Sequence, residues 1–144
     1  MIREITENDL TELLSLYMYL HETKMPDDSQ HLKSVWKQII NDENHHIIVA
    51  EENNRLVSSC VCVIIPNLTR DIRPYAFIEN VVTHGQYRGK GLATACIQYA
   101  RTLAMSAGCY KMMLLTGSKD ERTLGFYRHA GFNSEDKTAF IQWL

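Results

Sequence analysis

The sequence lacks a long apolar run, an excess of basic charge and any metal-binding pattern of cysteine and histidine. Of its 144 residues 45% are hydrophobic, and no run approaches the ~20 apolar residues that a membrane-spanning helix needs. Its 15 basic and 17 acidic side chains give a formal net charge of −2. A broad cationic face for a phosphate backbone is therefore not expected. We expect neither a membrane nor a nucleic acid as a partner.

The four cysteines do not suggest disulfides. Cys60 and Cys62 alternate in an apolar strand and Cys96 falls on a helix face, so buried thiols are expected. CxxC and zinc spacings are absent, and the adjacent His45 and His46 would point to opposite sides of a strand. No metal site is predicted.

The length of the chain and its N-terminal residues indicate the number of domains and the expected location of the protein. A chain of this size is expected to form a single domain over residues 1–144 and to bury roughly 70% of the surface that its unfolded state would expose. The first nine residues, MIREITEND, are charged rather than apolar, unlike a secretory signal. The expected location is the cytoplasm.

Hydrophobic periodicity and turn residues predict one α/β unit. The predicted elements of the first half are a strand at 2–5, a helix from Thr6 to about 24–26, a helix around 32–40, and a hairpin of strands 47–51 and 56–65. Those of the second half are a strand at 75–83, a helix from Gly91 to Gly108, a strand at 110–116, a short helix to Ala130 that starts at a capping box of Ser118 and Glu121, and a last strand at 138–144. The middle strands are too closely connected for helical crossovers, so the sheet should be mixed.

The stretch QYRGKGLA, residues 86–93, joins a strand to a helix through two glycines. Bare backbone amides at the start of a helix favour an anionic ligand. The phosphate-binding P-loop pattern is absent, and the dinucleotide fingerprint fails because Thr94 stands where Gly or Ala is needed. The ligand must be an anion of another kind.

Three motifs in register, IENVVTHGQYRGKGLATACIQYA, GCYKMMLLTGS and FYRHAGF, resemble the GNAT family of acyl-CoA N-acyltransferases over about residues 76–132. The resemblance implies a GNAT-like mixed, mostly antiparallel twisted sheet with helices on both faces and a splayed strand pair that holds acyl-CoA. It also implies acetyl-CoA as co-substrate and an N-acetyltransferase activity.

The resemblance assigns the coenzyme contacts to the strand, the turn and the helix start. The pyrophosphate cradle matches Gln86, Arg88, Gly89, Lys90, Gly91, Leu92 and Ala93. Backbone groups of Val81, Val82 and Thr83 would pair with the pantetheine arm, and the N–H of Val81 would stabilise the oxyanion. Asp120 stands where the family commonly has Asn, so it is either a coenzyme contact or a helix cap.

Two residues are predicted to carry the proton transfers. Glu79, before the expected bulge, suits a base that takes the ammonium proton, and partial burial among Ile78 and Val81 would help it. Tyr127 matches the family's tyrosine that protonates the departing thiolate. Their structural alternatives are a surface ion-pair partner for Glu79 and a core tyrosine for Tyr127.

Other nucleophiles and bases are less favoured. Neither Cys96 nor Cys109 has an adjacent His or helix start that would lower its pKa, so direct transfer is preferred over an acetylated cysteine. His84 and His129 are read as surface residues.

The acceptor is predicted to be the primary amine of a small molecule, attacked in a ternary complex. Glu22, Asp27, Asp28 and Asn80 are candidate contacts, the first three on the loop between the first two helices. The alternatives are a protein or peptide N-acetyltransferase and a non-catalytic acyl-CoA-binding module. The apolar last strand would present an exposed edge, so a homodimer is also expected.

Overall fold

The computed structural model describes all residues from 1 to 144. Its strands are β1 (Ile2–Glu4), β2 (His45–Glu52), β3 (Arg55–Ile65), β4 (Tyr75–Thr83) and β5 (Met112–Leu114). Its helices are α1 (Leu10–Tyr17), α2 (Gln30–Asn41), the single turn α3 (Thr69–Ile72), α4 (Leu92–Ser106) and α5 (Glu121–His129). Short 3-10 turns precede α1 at Glu7–Asp9 and α4 at Gly85–Tyr87.

The five strands form one sheet in the order β1-β2-β3-β4-β5. The first four pair antiparallel, and β5 pairs parallel to β4. Asn53 and Asn54 turn the β2–β3 hairpin with φ of 52° and 59°, left-handed values that Asn tolerates better than most residues. The predicted mixed, mostly antiparallel sheet is confirmed.

The core consists of two apolar clusters, one on each face of the sheet. On one face Cys96, Ile97 and Ala100 of α4 pack against Ile48 and Ile78. On the other face Leu13 and Leu16 of α1 and Trp36 of α2 pack against the sheet residues Val49 and Val61. Helices on both faces are therefore confirmed as well.

Several predicted boundaries are confirmed residue by residue. β4 has the predicted bounds, Tyr75–Thr83. The Ser29 hydroxyl accepts the N–H of Leu32 and so caps α2 where the start cluster was predicted. Gly108, with φ of 80°, follows the end of α4.

Three local predictions are wrong. The first helix ends at Tyr17 rather than at residues 24–26, and the backbone after it reaches a left-handed φ of 61° at His21. The cap of α5 is Asp120, whose carboxylate accepts the N–H of Arg122, so Ser118 and Glu121 do not form the capping box. β5 is shorter than the predicted strand 110–116.

The predicted last strand, residues 138–144, is also wrong for the isolated chain. All residues from 133 to 144 are exposed and none belongs to a strand. Phe140 is 91% and Trp143 86% exposed. A strand needs a neighbouring strand for its backbone groups, and this segment has none within its own chain.

The thiols behave as predicted. Cys60, Cys62 and Cys96 are fully buried and all four cysteines are free. No helix in the structure has both the length and the apolar character that crossing a bilayer requires.

Candidate active site

A β-bulge interrupts β4 at Asn80 and Val81. Glu79 lies opposite Val61 and Val82 lies opposite Ser59, so two residues of β4 face the single Cys60 of β3. Asn80 absorbs the extra residue with a left-handed φ of 51°. The bulge expected from the family resemblance is present at the predicted place.

Beyond the bulge β4 separates from β5. The parallel pairing runs only from Ala76–Met112 to Ile78–Leu114, and no later residue of β4 pairs with β5. The edge of β4 from Glu79 onward is therefore not covered by its neighbour. Such an edge can accept an extended ligand through backbone hydrogen bonds.

The glycine turn, residues 85–91, lies directly after this open edge. Gly89 and Gly91 have φ of 76° and 77°, and an added Cβ would meet nothing within 4 Å at either position. Glycine is needed there for backbone conformation rather than for space. No side chain caps the N-terminus of α4, so its first amides face an open approach.

Polar side chains hold the turn against the end of β4. The hydroxyl of Ser58 donates to the carbonyl oxygen of Val82 at 2.8 Å and lies 2.9 Å from the Thr83 hydroxyl. Arg88 Nε donates to the carbonyl oxygen of Thr83 at 3.4 Å. The Lys90 ammonium packs over the ring of Tyr87, 4.6 Å from its centroid. Both cations thus remain beside the turn and exposed.

His84 links the glycine turn to the first helix region. Its Nδ1 accepts the N–H of Gln86 at 3.2 Å, and its Nε2 lies 3.0 Å from the Tyr19 hydroxyl. A neutral ring that accepts at Nδ1 carries its proton on Nε2 and donates it to Tyr19. His84 therefore has a structural role, and His129 likewise contacts the carbonyl oxygen of Gly125 at 2.7 Å.

Tyr127 lies on α5, half-buried against the α4 face of the core. Its ring packs 4.9 Å from Phe126 and 6.2 Å from Phe132, measured between ring centroids. Burial raises the pKa of Tyr127, and negative charge at Cys60 and Glu79 would raise it further. The phenol is therefore protonated at neutral pH, as an acid must be before it donates.

Glu79 points to the opposite face of the sheet. Directly paired residues share a face, so Glu79 follows Val61, which packs toward α1 and α2. Its side chain is exposed, so the predicted partial burial is wrong for the chain without ligands. The cause is the separation of β4 from β5, which leaves this position open to solvent.

A cavity of about 260 Å³ lies on the same face, and we call it the acceptor cavity. Its lining residues are Leu14, Tyr17, Met18, Leu20, Glu22, Lys24, Pro26 and Asn80. The bulge turns Asn80 toward this cavity. Among the predicted acceptor contacts, Glu22 and Asn80 line it, whereas Asp27 and Asp28 do not.

Asp27 and Asp28 form surface ion pairs instead. Asp27 lies 3.9 Å from Lys24 and Asp28 lies 3.3 Å from Lys33, and both carboxylates are exposed. Asp120 likewise serves as the cap of α5 through its bond to Arg122. Its predicted coenzyme contact stays a prediction.

Tyr17 was not predicted as a site residue. Its hydroxyl is buried without a hydrogen-bond partner, and so is the hydroxyl of the nearby Ser59. Burial raises the pKa of Tyr17 to about 12. The signal in the sequence was a tyrosine among leucines on a buried helix stripe, because a buried phenol normally needs a partner.

The thiols do not offer a nucleophile. Burial raises the pKa of Cys96 to about 11, and it also raises the pKa of Cys109 above its ordinary value. A thiol that remains protonated attacks a thioester poorly. Direct attack by the acceptor stays the preferred prediction.

Fold and site together define an α/β protein whose parallel strand pair opens in front of an uncapped, glycine-rich helix start. The acetyltransferase (GNAT) family matches residues 8–132. The chain belongs to this family, and the predicted family is confirmed.

The curated relatives include a sugar-amine acetyltransferase, an N-acetyltransferase named without a substrate and an N-alpha-acetyltransferase of Schizosaccharomyces pombe. The chain is 36% identical over 87 residues to a glucosamine 6-phosphate N-acetyltransferase of Trypanosoma brucei brucei, covering 60% of this chain and 57% of that protein. Across three curated relatives the chain spans between 57% and 65% of their length.

Solved structures agree on the whole fold. A protein of Agrobacterium tumefaciens str. C58, named as an acetyltransferase, has 37% sequence identity and a TM-score of 0.91, with 99% of both chains covered. Glucosamine-6-phosphate N-acetyltransferase of Arabidopsis thaliana has 22% identity and a TM-score of 0.86, with 100% of this chain and 97% of that one covered. The second likeness shows the fold alone.

Proposed function

We propose that this chain is an acetyl-CoA-dependent N-acetyltransferase that acetylates the primary amine of a small molecule by direct attack in a ternary complex. The observation that carries the proposal is the open edge of β4 between its bulge and the glycine turn. This edge lies between Tyr127 on one face of the sheet and Glu79 on the other.

The residues present fit acetyl-CoA. The uncapped start of α4, with Gly89 and Gly91 held open, suits a pyrophosphate, and Arg88 and Lys90 add positive charge beside it. The unpaired edge of β4 suits the amide groups of a pantetheine arm. In this proposal the Val81 N–H meets the thioester oxygen.

The chemistry then needs two proton transfers. The amine lone pair attacks the thioester carbon, the C–S bond breaks, and the acetyl group leaves on nitrogen. Glu79 takes the proton that the amine loses, through water, since its side chain is exposed. Tyr127 supplies the proton that the departing thiolate gains, because its raised pKa keeps the phenol protonated.

The acceptor cavity supports a small polar amine. Glu22 carries the charge that attracts an ammonium group, and Lys24 supplies a second, positive contact. The exposed side chain of Asn80, which lines the cavity beside Tyr17, offers hydrogen bonds to a polar acceptor group. A volume of about 260 Å³ holds a compact molecule more readily than a folded peptide. An amino sugar or amino alcohol fits these features, and the relative in Trypanosoma brucei brucei is named for an amino sugar.

The test is a screen of small amines, amino sugars and N-terminal peptides, monitored by release of free coenzyme A thiol. We expect release with at least one small polar amine and none with peptides. Activity with peptides alone would overturn the small-molecule acceptor. Tight acetyl-CoA binding in calorimetry without transfer to any amine would favour a non-catalytic binding module. The proposal also includes a cytoplasmic location and a homodimer, and neither a membrane nor a nucleic acid takes part.

A further inference from the structure

His84 occupies the junction between the end of β4 and the glycine turn, and all of its polar groups are bonded. Its backbone N–H donates to the carbonyl oxygen of Val57 at 2.9 Å, and its carbonyl oxygen accepts the N–H of Tyr87 at 2.8 Å. Its Nδ1 accepts the N–H of Gln86 at 3.2 Å, and its Nε2 lies 3.0 Å from the hydroxyl of Tyr19. Because both ring nitrogens are occupied, the imidazole is not a free base.

The partners of the ring decide where its proton lies. A backbone N–H can only donate, so Nδ1 accepts from Gln86 and the neutral ring carries its proton on Nε2. The hydroxyl of Tyr19 is the acceptor of that proton. Without this acceptor the ring with its proton on Nδ1 would gain in population, and such a ring cannot accept the N–H of Gln86. Tyr19 therefore favours the one tautomer that bonds to the turn.

The bond from Gln86 to His84 caps the beginning of the turn. The 3-10 turn Gly85–Tyr87 starts directly after His84, whose side chain is the capping group. Loss of a side-chain cap at a helix start typically shifts the local equilibrium about fivefold. Farther along the turn, a Cβ added to Gly89 or Gly91 would meet nothing within 4 Å, so little packing holds that part. The shape of the whole turn therefore depends on its capped beginning.

Tyr19 reaches the turn from the acceptor side of the site. Its ring centroid lies 4.7 Å from that of His84, and its Cε1 atom would lie 3.4 Å from a Cβ added to Gly85. Its neighbours in the chain, Met18 and Leu20, line the acceptor cavity. One short segment after α1 thus lines the acceptor cavity and also contacts the glycine turn.

We propose that Tyr19 and His84 are positioning residues for the coenzyme. Tyr19 fixes the tautomer of His84, and His84 holds the amide of Gln86 and with it the shape of the glycine turn. Neither side chain touches the reacting atoms. The inference rests on the proposed function for the ligand of the turn, whereas the hydrogen-bonded chain from Tyr19 to Gln86 belongs to the protein without ligands.

The first experiment observes the coenzyme-free chain by nuclear magnetic resonance at mildly alkaline pH. The nitrogen shifts of the His84 ring show which nitrogen carries the proton, and hydrogen exchange of the Gln86 amide reports its bond. The unaltered chain should have the proton on Nε2 and a protected amide. Tyr19→Phe should increase the other tautomer and speed this exchange about threefold or more, the size of one hydrogen bond. Tyr110→Phe, beside Tyr75 at the opposite end of β4, is the control.

The second experiment measures acetyl-CoA affinity by calorimetry. His84→Ala removes the cap and should weaken binding about fivefold. An Asn side chain can accept the N–H of Gln86 as Nδ1 does, so His84→Asn should restore most of the affinity. Tyr19→Phe should weaken binding about threefold when His84 is present but not in the His84→Asn background, because Tyr19 acts only through the imidazole. His31→Ala, at an exposed position of α2, is the control.

Three outcomes would overturn the inference alone. They are unchanged exchange of the Gln86 amide in Tyr19→Phe, an affinity of His84→Asn as low as that of His84→Ala, and an equal effect of Tyr19→Phe in both backgrounds. An unaltered chain that binds no acetyl-CoA would instead overturn the proposed function, and the coenzyme role of the two residues with it. If His84→Ala does not fold, the resonance data and the Tyr19→Phe and His84→Asn variants still decide the question.

Discussion

The two sides of the candidate site are built differently. The coenzyme side, residues 81–93, is made by consecutive residues of one strand, one turn and one helix start. The acceptor cavity is made by α1, the loop after it and Asn80, which are about 60 residues apart in the chain. In the proposed function, the contiguous backbone motif binds the coenzyme by main-chain groups, whereas the side chains of the assembled cavity distinguish acceptors.

The largest expected effect comes from the two residues proposed for proton transfer, which belong to neither side alone. Tyr127→Phe and Glu79→Gln should each lower kcat by about 10² or more, since general acid and base roles are worth about that much. Acetyl-CoA binding, measured by calorimetry, should survive in both. Tyr99→Phe and Glu52→Gln are the controls. Unchanged turnover in Tyr127→Phe and Glu79→Gln would show that these residues are not the general acid and base.

The coenzyme side is tested next by Gly91→Ala. A non-glycine residue at φ of 77° costs about 1 to 2 kcal/mol, so the turn should distort and acetyl-CoA should bind about tenfold more weakly. Gly108→Ala places the same strain, at φ of 80°, at the other end of α4. This variant should destabilise the fold without weakening acetyl-CoA binding. Equal acetyl-CoA affinities in the two variants would contradict the proposal that the glycine turn binds the pyrophosphate.

The acceptor side is tested by Glu22→Gln, which removes the negative charge from the cavity wall and keeps the shape of the side chain. The acceptor KM should rise about five- to tenfold, the size of one hydrogen bond, and acetyl-CoA binding should stay unchanged. Glu43→Gln, away from the cavity, is the control. An unaltered acceptor KM would show that Glu22 does not contact the acceptor.

The smallest effect concerns how α1 is attached to the sheet. Arg3 bonds to Asp9, just before α1, at 2.7 Å and to Glu51 of β2 at 2.8 Å. The hydrogen bond from Arg3 lowers the pKa of Asp9 to about 2, and the bonds from Thr6 contribute. Because the folded pKa lies below the ordinary one, this stabilisation is present above about pH 4 and is lost as the pH falls through about 2.

Asp9→Asn should therefore lower the free energy of unfolding by about 1 kcal/mol at pH 7, after allowance for solvent screening, and by almost nothing near pH 2. Urea denaturation at the two pH values measures this. Glu121→Gln, which breaks the exposed pair with Arg128, should change stability less. A pH-independent loss in Asp9→Asn would show that the ion pair is not its cause.

Local chemistry explains which predictions from the sequence are confirmed. The hairpin turn, the bounds of β4, the Ser29 cap and the glycines around α4 depend on residues close in sequence. The predicted end of α1 lay seven to nine residues too late and the predicted cap of α5 two residues too early, because several polar residues near each boundary can serve as a helix end.

Local sequence patterns could not predict the acceptor cavity or the state of the C-terminal segment, residues 138–144. Two of the four predicted acceptor contacts line the cavity, while Asp27 and Asp28 pair with neighbouring lysines, a choice that only the loop's path makes. The segment 138–144 has the composition of a strand, yet a strand exists only where another strand accepts its hydrogen bonds.

The sequence by itself determined the family, the order of the central elements and the backbone of the coenzyme side, since these follow from periodicity, glycine and capping chemistry. Only the tertiary structure decided that the bulge turns Asn80 toward Tyr17, that Glu79 is open to solvent, and that the C-terminal segment pairs with no strand of its own chain. Each of these depends on which distant surfaces meet, and contacts between distant residues leave no periodic signal in a single sequence.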